Sequence, residues 1–285
     1  MTTIKGSAPA KVNLTLHVTG QRSDGYHLLD SLVGFAGVFD EITVTMATEL
    51  SLTVTGPFAQ GVPTNESNLM MRAARLLQAA AGVTAGAAMT LEKNLPHAAG
   101  IGSGSSDAAM TLAVLAQLWD VPPLSPEDPS VLALGADVPV CIIAPHPLRM
   151  EGIGEILSPT PPLPSCAMIL VTPKVAVPTG PVFAGLTVKQ NPKMAAIPAG
   201  LDFMGFSAWL ASQRNDLAGP ACALAPDIGA ALTALGRQPL VSHAGMSGSG
   251  ATCYGLTRTM GDARQVARAL QIAHMDWWVV PAELL

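Results

Sequence analysis

Alternating hydrophobic and polar positions along the first third of the chain predict strands of a half-buried sheet. Apolar residues occupy every second position from Val12 to Val18, a period of two that is typical of a strand. Lys11 and Asn13 share the opposite, polar face, which we expect to be solvated. Shorter alternations predict strands over Ile42–Met46 and Leu50–Thr55, joined as a hairpin.

Helical spacing then appears between segments that can begin and end a helix. Asn65–Asn68 offers N-cap residues, apolar residues recur from Leu69 to Ala80, and Gly82 is placed to end the helix. Met89–Glu92 alternates again and leads into Asn94–Ala109. A short helix is expected to start at Pro126 or Pro129 and to run through Leu134. Further helices are expected over 203–210, 227–235 and 262–272, with strands over 167–171, 241–244, 252–256 and 277–280, whereas Val175–Phe183 reads as a loop. This order predicts an α+β fold, with an antiparallel sheet and helices on one side.

The segment Asn94–Ala109, NLPHAAGIGSGSSDAA, places small residues between a strand and a helix. We expect the helix to start at Ser106-Asp107, so that several unpaired backbone N–H groups and the helix dipole meet at one spot that suits a phosphate. A flexible connector is the alternative, but the apolar segments on both sides argue against it. The glycine spacing matches neither the Walker loop nor the dinucleotide fingerprint.

Composition narrows the classes of function. The chain has 285 residues, 49% of them hydrophobic and only 12% charged, with a formal net charge of −5. An acidic balance argues against nucleic acid or an anionic membrane as the partner. The length suggests about two domains, and a stretch rich in Pro and Gly at Pro145–Pro164 predicts domains of residues 1–158 and 159–285.

Cysteine usage and the hydrophobic runs predict a cytoplasmic protein. The four cysteines lie far apart, without a C-x-x-C pair, which favours reduced thiols over a metal site or disulfides. The N-terminal residues lack the apolar region of a signal peptide. No apolar run is long enough to span a membrane.

Two polar positions are open to both a structural and a chemical interpretation. Tyr26 and His27 follow a turn at Asp24-Gly25, where they either cover the edge of the core or grip a base or sugar. Asp137 lies between a helix stop and the apolar stretch Val138–Ala144, where it either supports a turn or provides a carboxylate for chemistry.

Three separated blocks carry a resemblance to a known family. Ala8–Leu14, Pro96–Ala109 and Gly245–Ala251 resemble, in that order, the motifs of the GHMP small-molecule kinases. The stretch Gly20–His27, with its Asp-Gly-Tyr-His sequence, is similar to the branch that acts on a cytidine diphosphate-linked methylerythritol. Leu134–Pro139 and Asn215–Leu217 also fit that branch, whereas Ser103 and Ile101 depart from the usual Gly and Leu.

The resemblance implies a two-domain GHMP kinase fold with the active-site cleft between the domains. It implies ATP-dependent phosphorylation of the 2-hydroxyl of that acceptor, for isoprenoid precursor synthesis, with Asp137 as the base and Lys11 beside it. Mg²⁺ should accompany ATP, with Ser106 as a guessed ligand. The implied ATP-binding residues are Pro96, Ala99, Gly100, Ile101, Gly102, Ser103, Gly104, Ser105 and Ser106, with Asn65, Asn68 and Lys93 on the adenine side.

The same resemblance implies how the small-molecule acceptor is held. Tyr26 and Phe183 would sandwich the cytosine ring while His27 bonds to its edge, and Asn13 and Asp137 would hold the sugar-alcohol hydroxyls. The second glycine loop would approach the acceptor's phosphates through Gly245, Ser247 and Gly248. The protein is expected to be a monomer or a homodimer.

Two alternatives remain open. A related GHMP kinase would act on homoserine or mevalonate, although Tyr26, His27 and Phe183 speak against that choice. A non-catalytic sensor would keep the fold and the ligand site, although it would need neither Lys11 nor Asp137 at that spacing.

Overall fold

The computed structural model describes residues 2–285, and the chain divides into two compact units built from separate segments. The first unit comprises residues 2–11, Val38–His97 and Gly102–Pro145. The second comprises Val12–Gly37, Ala98–Ile101 and His146–Leu285. Each unit is built from separated segments of the sequence. This division does not test the expected domain boundary at residue 158, which stays a prediction.

Strands and helices are mixed along the whole described chain. The strands are β1 Thr3–Asn13, β2 His17–Gln21, β3 His27–Ala47, β4 Ser51–Thr55, β5 Gly86–Glu92, β6 Leu148–Gly152, β7 Ile156–Pro159, β8 Ala167–Thr172, β9 His243–Met246, β10 Cys253–Thr257 and β11 Trp278–Glu283. The helices are α1 Leu69–Ala81, α2 Ser103–Trp119, α3 Pro129–Leu134, α4 Val138–Ile142, α5 Thr179–Ala184, α6 Phe203–Ala211, α7 Ala218–Leu224, α8 Pro226–Gly236 and α9 Met260–Ala273.

In the first unit, β5 lies between β4 and the second half of β3. It pairs antiparallel with β3 and parallel with β4, so the predicted hairpin of β3 with β4 is wrong. The connection from β3 to β4 passes over the start of β5, where a Cβ on Gly86 would lie 2.2 Å from the carbonyl carbon of Glu49. This glycine therefore permits the crossing that separates the two strands.

Helix α1 follows the sequence expectation closely. The Asn68 side chain accepts a hydrogen bond from the backbone N–H of Met70, and Gly82 ends the helix in a left-handed conformation, which are typical of helix termini. Helix α1 packs against α2, and α2 packs against α4. These helices bury the apolar side chains that gave the helical spacing.

In the second unit, β11, β8, β10 and β9 form an antiparallel sheet in that order. Helix α9 packs on β8, β10 and β11, and α8 packs on β8, β9 and β10. The core includes Ile169, Val171, Ile228 and Val266. The first half of β3 pairs with β2 and β6. Helices packed on largely antiparallel strands confirm the α+β class.

The predicted strand over 12–18 is interrupted, and its polar face is buried. Strand β1 ends at Asn13 and β2 begins at His17, because Leu16 instead exchanges backbone hydrogen bonds with Arg214 and Asp216. Asn13 and His17 are each 1% exposed. The His17 ring lies 3.3 Å from the carbonyl oxygen of Pro192. The expectation of a solvated face was wrong, because Lys11 and Asn13 are buried.

Further boundaries differ from the expectation. Helix α2 begins at Ser103, with Gly102 as its N-cap, so Ser106 and Asp107 lie inside the helix. The predicted loop 175–183 contains most of α5, whose Pro181 is tolerated because it lies in the first turn. Strands β6 and β7 and helix α7 were not expected.

Within residues 2–285 no single helix is long and apolar enough to cross a membrane. Helices α7 and α8 meet the length and composition criteria only as a pair, and that pair is bent by 120°.

Candidate active site

Lys11 and Asp137 form an ion pair in the first unit. The Lys11 Nζ lies 2.9 Å from Asp137 Oδ2, with side-chain exposures of 4% and 33%. Asp137 directly precedes α4, yet its side chain makes no capping hydrogen bond to that helix. The Asp137 side chain is therefore partly open to solvent and does not cap α4, and its chemical role stays a prediction.

Gly102 brings the glycine-rich segment against this ion pair. A Cβ on Gly102 would lie 2.9 Å from Lys11 Cε and 3.6 Å from Asp137 Oδ2, and the residue has a φ of +58°. Both the left-handed backbone and the close approach exclude a side chain here. The start of α2 therefore lies beside the Lys11–Asp137 pair.

Helix α2 begins without a side-chain cap. Its N-cap is Gly102, and the first helical bond runs from the Ser106 N–H to the Gly102 carbonyl. The hydroxyls of Ser103 and Ser106 are turned to internal acceptors, namely the carbonyl oxygens of Pro96 at 3.2 Å and Pro9 at 2.7 Å. Backbone N–H groups and the helix dipole are thus the anion-attracting features of this end.

Lys93 lies in a buried ion cluster with two aspartates. Its Nζ is 2.6 Å from Asp40 Oδ2 and 2.5 Å from Asp107 Oδ2, and the three side chains are 0–4% exposed. Burial raises the pKa of Asp107 to about 8 despite the opposing charge of Lys93. Asp107 Oδ1 is buried without a hydrogen-bond partner. The expected place of Lys93 at the adenine side stays a prediction that this cluster does not support.

In the second unit, the other part of the glycine-rich segment contacts the loop 245–251. The Ser247 hydroxyl donates to the Gly100 carbonyl at 2.8 Å and accepts from the Asn13 N–H at 3.0 Å. The Ala99 carbonyl accepts from the Thr252 N–H at 3.0 Å. Because Ser247 is fully buried, its hydroxyl acts as an internal tie between the two glycine loops.

Asn215 supports the same loop, although no role was predicted for it. Its Nδ2 donates to the carbonyl oxygens of Met246 and Gly248, at 2.8 and 2.9 Å. Its Oδ1 accepts from the Leu217 N–H. The Asn-Asp-Leu sequence was a signal for this position, but only the fold shows which backbone groups the amide bonds.

The side chains expected to hold a cytosine lie partly together. The His27 and Phe183 rings stack with centroids 4.8 Å apart and an interplanar angle of 25°, whereas Tyr26 is 58% exposed on the adjacent turn. His27 Nε2 is buried without a hydrogen-bond partner. Burial, and secondarily the charge of Lys189, lower the pKa of His27, which favours a neutral ring that can bond a ligand edge.

Other predicted site residues have structural partners. Asn13 Nδ2 donates to the Ser31 hydroxyl at 2.8 Å. Asn68 caps α1, and Asn65 Oδ1 accepts from the N–H and hydroxyl of Ser67. Gly245 lies in β9 opposite Tyr254. Ile101 is buried, Gly104 is exposed and Ser105 is half-buried. Their ligand roles stay predictions.

The residues near the Lys11–Asp137 pair do not build a magnesium site. Within residues 2–285 no group of three or more His, Cys, Asp or Glu side chains is arranged to hold a metal ion. The Ser106 hydroxyl donates to a carbonyl and is 2% exposed. Mg²⁺ is often held by one or two carboxylates together with waters and substrate phosphates. The partly exposed carboxylate of the Lys11–Asp137 pair could provide one such ligand.

Comparisons with known proteins agree with this geometry. Residues 68–144 match the GHMP kinases N terminal domain, and residues 201–275 match the GHMP kinases C terminal domain. A 4-diphosphocytidyl-2-C-methyl-D-erythritol kinase of Ruegeria pomeroyi is 52% identical over 285 residues, covering 99% of each chain. The chain belongs to the GHMP kinase family. A second 4-diphosphocytidyl-2-C-methyl-D-erythritol kinase, from Paramagnetospirillum magneticum, is 50% identical over 289 residues, with 100% of each chain covered.

Solved structures give the same family assignment. A crystal structure of 4-(cytidine 5'-diphospho)-2C-methyl-D-erythritol kinase has a TM-score of 0.79 and 32% identity, with 99% of each chain covered. The homoserine kinase of Cytophaga hutchinsonii has a TM-score of 0.71 at 16% identity, covering 99% of this chain and 94% of its own. At this identity, the similarity to the homoserine kinase shows a shared fold and carries no information about the substrate.

Proposed function

We propose that this chain transfers the γ-phosphoryl group of ATP to the 2-hydroxyl of 4-diphosphocytidyl-2-C-methyl-D-erythritol. Relatives with that kinase name are about half identical to it along nearly the whole chain. The observation that carries the chemistry is the Lys11–Asp137 pair beside Gly102. The reaction would serve isoprenoid precursor synthesis in the cytoplasm.

Asp137 is the proposed general base. An alcohol is a weak nucleophile, and a positioned carboxylate that takes its proton as the phosphorus–oxygen bond forms accelerates attack by about 10²–10⁴-fold. Asp137 suits this role because its side chain is 33% exposed and contacts Lys11 rather than a helix end. Lys11 also provides a positive charge for the oxygens of the transferring phosphoryl group.

ATP phosphates are proposed to bind at the N-terminal end of α2. Phosphoryl transfer depends mostly on positioning and charge stabilisation, which backbone N–H groups and the helix dipole supply. The glycine N-cap leaves that end without a competing side chain. Mg²⁺ would accompany ATP, bound chiefly by phosphate oxygens and water.

The cytidine end of the acceptor is proposed to bind at the turn that carries Tyr26 and His27. The exposed Tyr26 ring and the Phe183 ring offer stacking surfaces, each worth about 1–3 kcal/mol per base. The buried His27 Nε2, which has no partner in the protein, is suited to one hydrogen bond with the edge of the base. This arrangement favours a cytidine-bearing acceptor over homoserine or mevalonate.

The test is an acceptor screen with the purified full-length chain. We expect ATP-dependent phosphorylation of the cytidine-linked acceptor, detected by ³¹P NMR, and little turnover of homoserine or mevalonate. Phosphorylation of homoserine or mevalonate in preference to the cytidine compound would overturn the substrate assignment. Tight binding of ATP and acceptor without any product would favour the sensor alternative instead.

A further inference from the structure

The buried ion cluster of Asp40, Lys93 and Asp107 has no part in the chemistry proposed above. Nevertheless, it joins the two ends of the phosphate-binding segment. Lys93 directly precedes residues 94–106 and Asp107 directly follows them. The 2.5 Å contact of Lys93 Nζ with Asp107 Oδ2 therefore closes this 94–106 segment with one ammonium group.

Asp40 holds the beginning of the same segment. Its Oδ1 accepts from the backbone N–H groups of Asn94 and Leu95, at 2.6 and 2.8 Å. Its Oδ2 accepts from Lys93 Nζ at 2.6 Å. One carboxylate on β3 therefore fixes both the exit of the chain from β5 and the ammonium group that reaches α2.

The backbone of Lys93 is fixed from a third side. Its N–H donates to the Thr55 carbonyl at 2.7 Å, and its carbonyl accepts from the Phe58 N–H at 3.0 Å. The ammonium group thus projects from a point held by the chain following β4. Rigid support of this kind is what keeps a binding group at a productive position.

The charges of the cluster are not those of a simple stabilising pair. Two carboxylates share one ammonium, all within side chains that are 0–4% exposed, and Asp107 Oδ1 has no hydrogen-bond partner. Burying such groups is costly, and apolar residues of similar volume are often as stable or more stable in their place. Stability alone therefore does not account for the cluster.

We propose that Asp107 is a positioning residue for ATP: through Lys93 and Asp40 it sets the first turn of α2 against the start of the 94–106 segment. The N–H groups at the beginning of α2 then keep the position at which phosphates bind. The inference rests on the proposed function in one respect, namely that this segment binds ATP.

The informative variant is Asp107→Ala, because it removes the link to α2 and leaves Asp40 and Lys93 as a balanced pair. Asp107→Asn is the conservative variant, since its amide oxygen still accepts from Lys93. The matched control is Thr111→Ala, one turn further along α2. The Thr111 hydroxyl is fully buried and donates to the Asp107 carbonyl at 2.7 Å, so this truncation also weakens the helix but leaves the cluster intact.

The measurements are calorimetric binding of the ATP analogue AMP-PNP, the KM values of both substrates, and amide hydrogen exchange at residues 102–106. For Asp107→Ala we expect AMP-PNP affinity to fall about ten- to hundred-fold, as for a displaced binding group. The KM of the acceptor should stay within about two-fold, and amide exchange at residues 102–106 should accelerate. Thr111→Ala should retain wild-type AMP-PNP affinity, and Asp107→Asn should recover most of it.

Three results would overturn the proposal. They are unchanged AMP-PNP affinity in folded Asp107→Ala, an equal loss in Thr111→Ala, or an equal rise in the KM of both substrates. If Asp107→Ala does not fold, unchanged affinity in Asp107→Asn together with unchanged exchange at 102–106 also overturns it. An equal loss of AMP-PNP affinity in Asp107→Ala and Asp107→Asn would also overturn it, because the amide of Asn keeps an acceptor for Lys93. Failure of wild-type protein to bind AMP-PNP would contradict the proposed function itself.

Discussion

The first unit contains two arrangements of lysine with aspartate, the Lys11–Asp137 pair and the buried ion cluster, which differ in burial and in the number of carboxylates per lysine. Lys11 and Asp137 are matched one to one, and Asp137 is 33% exposed. In the buried ion cluster one ammonium serves two carboxylates, and Asp107 is only 4% exposed. Contact distances are similar, at 2.9 and 2.5 Å. Burial and the ratio of charges, rather than the contact itself, therefore distinguish a carboxylate that can meet a substrate from one that cannot.

Hydrogen bonding separates the two arrangements in the same way. Asp40 accepts two backbone N–H groups as well as the ammonium of Lys93, so both its oxygens are occupied by the fold. Asp137 makes no capping bond to α4. A carboxylate outside the hydrogen-bond network of the backbone is better suited to accept a proton from a ligand.

The largest effect is expected from a substitution that changes only the proposed catalytic pair of Lys11 and Asp137. Asp137→Asn should lower kcat by about 10²–10⁴-fold, because the amide cannot take the proton of the acceptor hydroxyl. Coupled-enzyme assays and AMP-PNP calorimetry should show turnover lost and nucleotide affinity retained. The matched control is Asp128→Asn, which makes the same charge change at the N-cap of α3, where Asn caps equally well. A kcat within a few-fold of the wild type would remove Asp137 from the mechanism.

The next effect compares the two lysines. Lys93→Met leaves the buried Asp40 carboxylate without its cation and should cost about 3–5 kcal/mol of unfolding free energy. Lys11→Met leaves Asp137 partly in water, so its cost should be smaller than that of Lys93→Met. Urea unfolding monitored by circular dichroism measures both. Equal losses of unfolding free energy in the two variants would show that the burial of the aspartate partner does not determine the cost of removing its lysine.

The same cluster should also produce a pH dependence of stability. Burial raises the pKa of Asp107 in the folded state from its ordinary value of 3.8 to about 8, so the folded protein binds this proton more tightly than the unfolded chain. The associated stability is present at low pH and is lost as the pH rises from about 4 to about 8. The Asp107→Asn variant should lose less stability than the wild type over that range. Parallel pH profiles of unfolding free energy for the two proteins would contradict this assignment.

The smallest effect is expected where a pair is exposed on both sides. Arg75 and Glu66 lie 3.2 Å apart with exposures of 56% and 58%, and exposed pairs contribute about 0–1 kcal/mol. Glu66→Gln should therefore change the urea midpoint by little or nothing. A loss comparable to that of Lys93→Met would mean that exposure does not rank these contacts.

Local sequence signals predicted the ends of an element correctly where those ends depend on a few neighbouring residues. Asn68 and Gly82 marked the ends of α1 because capping depends on a few neighbouring residues. The hairpin of β3 with β4 failed because pairing depends on β5, which arrives later in the chain. Likewise, the alternation from Val12 to Val18 identified polar positions but not what covers them. Over His17 that covering comes from the segment around Pro192, and over Asn13 from Ser31 and Ser247.

The sequence indicated which residues could belong to the candidate site, but it did not show which of them contact one another. Lys11 and Asp137, 126 positions apart in sequence, were paired only through the family resemblance, and the structure shows the contact. Lys93 was assigned to the adenine side through the same resemblance, whereas its ammonium group contacts Asp40 and Asp107. Sequence proximity cannot show which way a long side chain turns.

The opening turn of α2 also offers a place to attach a reporter. A Cβ on Gly104 would meet a single neighbour, Leu69 Cδ1, at 4.0 Å, and the residue is exposed. Three of the four native cysteines are buried, so a thiol introduced by Gly104→Cys could be labelled with a fluorophore in preference to them. Nucleotide arrival and departure could then be followed in real time.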